Sequence, residues 1–279
     1  MHKIKAGQTA LITGCSSGIG LATAQVLKTR GWNVIASARQ DKDVARLKET
    51  DFQAVRLNIA DPQSIADALD ETLTLTGGKL DALVNNAGLA FPGAVEDLSR
   101  ETLQRQFDTN FFGTLELTNA VLRLMRRQGH GRIVMISSIL GRVAMPWRGA
   151  YNASKFALEG LTDTLRLELR GTNIKVSLIC PGPVKSRFRD NALANFDEYV
   201  DAASSSHRES YARLKAQTGE EKDNTPFTVP PEIVATRIVH TLESGHPKAR
   251  YYVTVPAYAL AFLRCMLPTR WMDAILARI

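Results

Sequence analysis

The chain has 279 residues, a formal net charge of +7 and three scattered cysteines, Cys15, Cys180 and Cys265. An odd, dispersed set of cysteines argues against a disulfide framework and for a reducing compartment. No apolar signal region precedes the first strand-like segment, so we expect a cytoplasmic protein. The length suits one large α/β fold, and the basic excess leaves nucleic acid, anionic lipid and polyanionic small molecules open as partners.

Short apolar, β-branched runs alternate with helical segments along the chain, which is typical of a parallel sheet covered by helices. About seven strands are predicted, at 9–13, 33–38, 52–59, 80–85, 132–138, 175–180 and 251–255. Helical periodicity and helix-start signals predict helices at 18–30, 62–76, 100–127, 151–170 and 231–244. We therefore expect a Rossmann-like, doubly wound α/β sheet with helices on both faces, in a single domain spanning residues 1–279.

Two regions interrupt this alternation. The polar segment 183–230 follows the sixth predicted strand, where α/β folds place substrate-covering insertions. The tail 256–279 is apolar but interrupted by prolines and charged residues, so it predicts an amphipathic helix rather than a membrane span. Such a tail could cap a substrate pocket, pack in an interface or make peripheral contact with a membrane.

A glycine-rich turn, TGCSSGIG, connects the first predicted strand to the first predicted helix. Glycines let the backbone turn tightly and approach a pyrophosphate, whose charge the helix N-terminus receives. The spacing is G-x-x-x-G-x-G, and a tight strand–helix turn without a ligand is the alternative. The turn predicts cofactor contacts from Gly14, Ser16, Ser17, Gly18, Ile19 and Gly20.

Arg39 follows the second predicted strand, at the position where an NAD-binding protein offers Asp or Glu to the ribose. A guanidinium suits a 2′-phosphate, which favours NADP over NAD. A solvated loop arginine is the alternative, and nearby Asp41 or Asp43 could reach the ribose instead.

The segment YNASK places Tyr151 and Lys155 four residues apart, on one face of a predicted helix. Tyr211 and Lys215 repeat the interval, so spacing alone does not identify an acid–base pair. Five elements occur in order, however: TGCSSGIG, NNAG at 85–88, Asn110, Ser138 and YNASK. With them the sequence resembles the short-chain dehydrogenase/reductase family over about residues 7–190, most closely its NADP-dependent steroid/retinol dehydrogenase-like and bacterial aldehyde-reductase branch.

The resemblance implies roles for four catalytic residues. Tyr151 exchanges a proton with the substrate oxygen, and Ser138 bonds the same oxygen. Lys155, together with the positive charge of an oxidised nicotinamide, lowers the Tyr151 pKa. Lys155 also bonds the nicotinamide ribose, and Asn110 holds a water linked to Lys155. A polar helix residue bonded to a nearby carbonyl is the alternative for Asn110. Tyr211 and Lys215, in the insertion, are interpreted as incidental neighbours.

The resemblance also implies further cofactor contacts, from Tyr151, Lys155, Asn58, Ile59, Asn86, Ala87, Gly88, Pro181, Gly182, Val184 and Ser186. The family commonly has Asp at position 58 and Thr at position 186. The amide of Asn58 and the hydroxyl of Ser186 can make the same kinds of hydrogen bond.

The implied activity is NADP-dependent interconversion of a carbonyl and an alcohol. Aromatic residues in the insertion and tail favour a hydrophobic aldehyde, retinoid or steroid-like substrate, unless they are ordinary packing: Phe188, Phe196, Tyr199, Tyr211, Phe227, Tyr258, Phe262 and Trp271. Reduction of a 3-oxoacyl thioester is one alternative. A non-catalytic dinucleotide-binding sensor or scaffold is another.

Other partners are expected to be few. The densest basic group surrounds His130 at a predicted helix end without interleaved aromatic residues, so we expect no nucleic-acid partner. The five histidines show no metal-ligand spacing, so no metal site is expected. A homo-oligomer, either a dimer or a tetramer, is expected.

Overall fold

One parallel sheet organises the protein, whose computed structural model describes residues 7–220 and 226–278. Its strands are β1 (Thr9–Ile12), β2 (Asn33–Ala38), β3 (Gln53–Arg56), β4 (Ala82–Asn85), β5 (Gly131–Ile136), β6 (Ile174–Cys180) and β7 (Arg250–Tyr252). The strand order is β3-β2-β1-β4-β5-β6-β7, and all neighbouring strands are parallel. Strands β2 and β3 are added on one side of β1 and strands β4 to β7 on the other, so the order of connection reverses between β1 and β4. This confirms the predicted Rossmann-like sheet, whose ligand crevice lies at the carboxyl ends of the strands near that reversal.

Helices cover both faces of the sheet. They are α1 (Gly18–Thr29), α2 (Asp41–Glu49), α3 (Pro62–Leu75), α4 (Arg100–Phe107), α5 (Gly113–Gln128), α6 (Gly149–Glu168), α7 (Phe188–Tyr199), α8 (Arg208–Glu220), α9 (Pro231–Glu243), α10 (Val255–Met266) and α11 (Thr269–Leu276). Apolar residues of α1, α2 and α9 form the core on one face, and those of α3, α5 and α6 form it on the other. Strand residues such as Leu11 and Ile12 point to opposite cores, as the two-residue period of a strand requires.

The structure differs from the predicted helices in four places, one of which is α2, a helix that the sequence did not predict. The helix predicted over 100–127 contains a π-helical turn, Asp108–Phe112, between α4 and α5. The insertion holds α7 and α8, and the tail forms two helices because Pro268 separates α10 from α11. Within residues 7–220 and 226–278, no helix is long and apolar enough to cross a bilayer.

Candidate active site

Tyr151 and Lys155 lie one turn apart near the start of α6, beside the carboxyl end of β5. Lys155 is only 5% exposed, and its Nζ lies 5.6 Å from the centre of the Tyr151 ring. The same Nζ donates a hydrogen bond of 2.8 Å to the carbonyl of Ile136, the last residue of β5. The predicted tyrosine and lysine therefore share one face of the helix, and the end of the strand holds the ammonium in place.

Ser138 completes a cluster of three polar side chains. It follows β5 and caps the short 3-10 turn Ile139–Gly141, where its Oγ accepts a 3.1 Å hydrogen bond from the backbone N–H of Leu140. The side chain of Ser138 also lies close enough to Tyr151 to lower the pKa of its phenol. A substrate oxygen beside the phenol would therefore also lie beside the serine hydroxyl.

Burial dominates the titration of both α6 residues. It raises the pKa of Tyr151 to about 12, against the lowering effects of the Ser138 hydrogen bond and the Arg148 charge. It lowers the pKa of Lys155 to about 8, opposed by the negative charge of Glu159. The expected lowering of the Tyr151 pKa includes the charge of an oxidised nicotinamide; among the side chains alone, desolvation of the phenolate outweighs the positive charge of Arg148.

Asn110 lies in the π-helical turn, and its amide is bound to the backbone of Leu89. Its Oδ1 accepts from the Leu89 N–H (2.9 Å), while its Nδ2 donates to the Leu89 carbonyl (3.0 Å) and to Ser154 Oγ (3.2 Å). A Cβ added to Gly88 would lie 3.3 Å from Asn110 Oδ1 and 3.9 Å from Lys155 Nζ. Asn110 and Lys155 thus lie on either side of Gly88. The hydrogen bonds of the Asn110 side chain agree with the alternative prediction for this residue, a polar helix residue bonded to a nearby carbonyl.

The glycine-rich turn packs closely against the end of β4. Gly14 has a left-handed φ of 72° and its carbonyl accepts a 3.1 Å bond from Asn86 Nδ2. A Cβ on Gly20 would lie 2.4 Å from the Gly14 carbonyl oxygen. Ser16, Ser17, Gly18 and Ile19 are partly exposed along the outside of the turn. Side chains are thus missing where the backbone must approach closely, which fits a turn that receives a pyrophosphate.

The remaining predicted cofactor residues lie at the same edge of the sheet. The Ala87 N–H donates to Thr13 Oγ1 at 2.8 Å, which ties the NNAG segment to β1. Asn58 and Ile59 follow β3, and the Asn58 side chain accepts from the Ala60 N–H at 3.4 Å. Pro181, Gly182, Val184 and Ser186 follow β6, and Ser186 reaches the turn, since a Cβ on Gly18 would lie 3.0 Å from its Cβ.

Arg39 is exposed after β2, and no partner among the described residues binds its guanidinium. Asp41 pairs with Arg56 at 3.4 Å, and Asp43 pairs with Arg46 at 2.9 Å. Both carboxylates that could compete for a ribose are therefore already next to arginines.

Two arginines that the sequence did not predict approach the turn. Arg46 and Arg187 both donate to the Ser16 carbonyl oxygen, at 2.6 and 3.0 Å. They are 30 and 171 positions from Ser16 in the chain, so no local motif could have indicated them.

Of the aromatic residues predicted to line a substrate pocket, Phe188 contacts Tyr151, and their ring centres lie 5.6 Å apart. Phe196 and Tyr211 belong to a separate buried cluster. Phe227, Phe262 and Trp271 are exposed. Most of these aromatic side chains therefore pack elsewhere or face solvent.

Comparison with known proteins identifies the family to which this site belongs. A family model described as short chain dehydrogenase matches residues 8–196. The chain belongs to the short-chain dehydrogenase/reductase family. It is 42% identical over 270 residues to the uncharacterized oxidoreductase YbbO of Escherichia coli (strain K12), covering 96% of this chain and 94% of that protein. It is 33% identical over 274 residues to retinol dehydrogenase 8 of Bos taurus, covering 95% of this chain and 87% of that protein.

Solved structures of the same family share the fold. A short-chain dehydrogenase/reductase from Burkholderia phymatum in complex with NAD gives a TM-score of 0.78 at 25% identity, covering 97% of this chain and 95% of that chain. The closed form of serine dehydrogenase complexed with NADP+ gives a TM-score of 0.75 at 26% identity, covering 88% of this chain and 94% of that chain. As a member of this short-chain dehydrogenase/reductase family, the protein is an oxidoreductase that binds a nicotinamide dinucleotide.

Proposed function

We propose that this short-chain dehydrogenase/reductase interconverts a carbonyl and a primary or secondary alcohol on a hydrophobic substrate, with NADP as its cofactor. The observation that carries the proposal is the cluster of Ser138, Tyr151 and Lys155 at the carboxyl edge of β5. Hydride chemistry belongs to the nicotinamide, which supplies or accepts the hydride when it is bound. The side chains of this chain supply the proton and orient the substrate.

Tyr151 acts as the acid in the reducing direction. Burial raises the Tyr151 pKa to about 12, so its phenol carries a proton throughout the neutral range. It donates that proton to the substrate oxygen while Ser138 donates a hydrogen bond to the same oxygen as negative charge develops. Lys155 bonds the nicotinamide ribose and holds a positive charge beside the ring, which favours the phenolate left behind. For Asn110 we propose the water-mediated link to Lys155, supported by the position of both side chains around Gly88.

The residues around the turn fit a dinucleotide. A Cβ on Gly14, Gly18 or Gly20 would lie within 3.0 Å of neighbouring protein atoms, so these glycines allow the tight turn that a pyrophosphate-binding backbone requires. The other residues proposed to hold the cofactor are Ser16, Ser17, Ile19, Arg39, Asn58, Ile59, Asn86, Ala87, Gly88, Tyr151, Lys155, Pro181, Gly182, Val184 and Ser186.

The choice of NADP rests on Arg39 and its surroundings. The exposed guanidinium of Arg39 can receive a 2′-phosphate, whereas the carboxylates of Asp41 and Asp43 are already paired with arginines. A hydrophobic aldehyde, retinoid or steroid-like substrate is supported by Phe188 beside Tyr151 and by the similarity to a retinol dehydrogenase.

We further propose one domain over residues 1–279, a cytoplasmic location and a dimeric or tetrameric assembly.

The tail is proposed to make peripheral contact with an anionic membrane. Four residues spaced by three or four positions form an exposed, wholly apolar face of α10, namely Val255, Tyr258, Phe262 and Met266. The net charge of +7 favours an anionic bilayer over a second copy of the same cationic chain.

Replacing Tyr151 by Phe tests the reaction. The ring stays while the proton donor is lost, so reduction of hydrophobic aldehydes, retinoids, ketosteroids or 3-oxoacyl thioesters by NADPH should fall about 10²–10⁴-fold, with dinucleotide binding kept. Tyr258→Phe is the control because it removes the same hydroxyl group from a side chain that is 55% exposed on α10. Equal turnover by the wild type and Tyr151→Phe would refute the proposal, and NADH assayed in parallel reports the cofactor preference.

A further inference from the structure

Two guanidinium groups share one backbone oxygen at the rim of the glycine-rich turn. Arg46, from α2, donates to the Ser16 carbonyl at 2.6 Å, and Arg187, from the segment after β6, donates to it at 3.0 Å. The two donor nitrogens are therefore no farther apart than the sum of these distances. Like charges this close repel each other, and one neutral carbonyl oxygen compensates them only partly.

Little negative charge balances the two arginines. Arg46 has one carboxylate partner, Asp43, at 2.9 Å. For Arg187, no carboxylate among the described side chains of residues 7–215 and 226–278 forms an ion pair. Arg39, exposed nearby, adds a third guanidinium without a described partner. An anion bound between these groups would reduce their repulsion and receive charge-assisted hydrogen bonds.

The position of the pair relative to β2 indicates which anion it would bind. The Cys15 N–H donates to the Ser37 carbonyl at 2.7 Å, which fixes the turn against the end of β2, and Arg39 follows that end directly. In this architecture the end of the second strand is where the adenosine ribose lies and where an arginine accommodates a 2′-phosphate.

We propose that Arg46 and Arg187, together with Arg39, form a clamp for the 2′-phosphate of NADP. Arg46 contributes a guanidinium group that is held by the Ser16 carbonyl and the Asp43 carboxylate. Arg187 brings the segment after β6 to the same phosphate. This inference rests on the proposed use of NADP, and it adds two specificity-determining residues from separate parts of the chain.

Binding of two small ligands tests the clamp without any turnover. Adenosine 2′,5′-bisphosphate and 5′-AMP differ only in the 2′-phosphate, and calorimetry gives the affinity of the full chain for each. The wild type is expected to prefer the bisphosphate. Arg46→Gln and Arg187→Gln should each weaken bisphosphate binding by about tenfold or more, while 5′-AMP binding changes less than about twofold. Arg46→Lys keeps the positive charge but loses the planar guanidinium group, so it should retain part of the preference for the bisphosphate over 5′-AMP.

Arg105→Gln is the matched control, because Arg105 has a similar exposure, 51% against 48% for Arg46, and also pairs with a carboxylate at 2.9 Å. It should leave both affinities unchanged. Unchanged bisphosphate binding by the folded Arg46 and Arg187 variants would overturn the clamp, as would equal weakening of both ligands. Equal binding of both ligands by the wild type would instead refute the proposed NADP preference itself.

Discussion

The hydroxyl of Tyr211 donates a hydrogen bond to the Asp97 carboxylate and accepts one from the backbone N–H of Ala94 at 2.7 Å. Tyr211 is 2% exposed on α8, so this bond fastens the insertion to the loop after β4. Lys215, four residues later, pairs with Asp197 at 2.5 Å. A Tyr–Lys interval identical to that of Tyr151 and Lys155 thus has a structural role here, because its tyrosine points into a packed cluster.

Tyr211→Phe should lower the free energy of unfolding by about 1–3 kcal/mol, since it leaves Asp97 and the Ala94 N–H without their buried partner. Urea unfolding measures the change. Tyr258→Phe serves as the control because Tyr258 is 55% exposed, and it should change stability by less than about 0.5 kcal/mol. Equal effects of the two replacements would show that the Tyr211 hydroxyl does not hold the insertion.

The strands were predictable because their signal is local. Each strand is a short buried run, and the burial of β1 and β4 on both faces makes nearly every residue apolar. Helix α2 was not predicted because only Val44 and Leu47 of its residues are buried, too few to establish a helical period. The motif residues could be assigned for the same reason as the strands, since each motif is contiguous in the sequence.

What the sequence could not provide depends on tertiary contacts. The convergence of Arg46 and Arg187 on Ser16 joins three distant segments. The pKa of Tyr151 depends on how much solvent the fold removes, which spacing to Lys155 does not specify. The close approach of Gly113, directly after the π-helical turn Asp108–Phe112, to the Ile59 carbonyl is likewise a tertiary contact.

Lys155→Met should stabilise the protein while abolishing turnover. Burial lowers the Lys155 pKa from 10.5 to about 8, so the unfolded chain holds this proton more tightly than the folded chain. The free-energy cost of burying the protonated Lys155 is therefore fully present below about pH 8, and it decreases as the pH rises toward 10.5. The advantage of the variant in unfolding free energy should be about 2–3 kcal/mol larger at about pH 7 than at about pH 10. The loss of the Ile136 hydrogen bond is the same at both pH values and cancels from this difference. Denaturant unfolding at both pH values checks this, and a pH-independent difference would contradict it.

Gly113→Ala should destabilise the protein and weaken dinucleotide binding. A Cβ at this position would lie 1.6 Å from the carbonyl oxygen of Ile59, so α5 must move away from the residue proposed to flank the adenine. A loss of about 1–3 kcal/mol is expected. Gly160→Ala, inside α6 with no heavy atom within 4 Å of the added methyl group, should instead gain about 0.5–1 kcal/mol. Thermal unfolding of both variants measures the contrast, and the same sign of change in both would contradict the packing argument.

The apolar face of α10 should bind anionic vesicles. Phe262 and Met266 are each 64% exposed on this face, while Ala257, Leu260 and Ala261 on the opposite face are buried against the segment after Ser138. Insertion of two large apolar side chains into a bilayer interface contributes more than about 1.4 kcal/mol, so Phe262→Ser with Met266→Ser should reduce partitioning onto phosphatidylserine vesicles at least about tenfold. Leu167→Ser, which removes a 55% exposed side chain from α6, is the control and should partition like the wild type. Sedimentation with vesicles measures the binding. The opposite result would be that the wild type does not bind vesicles and that the double variant has the solution mass of a monomer where the wild type has that of a dimer. A second copy of the chain would then cover this face instead.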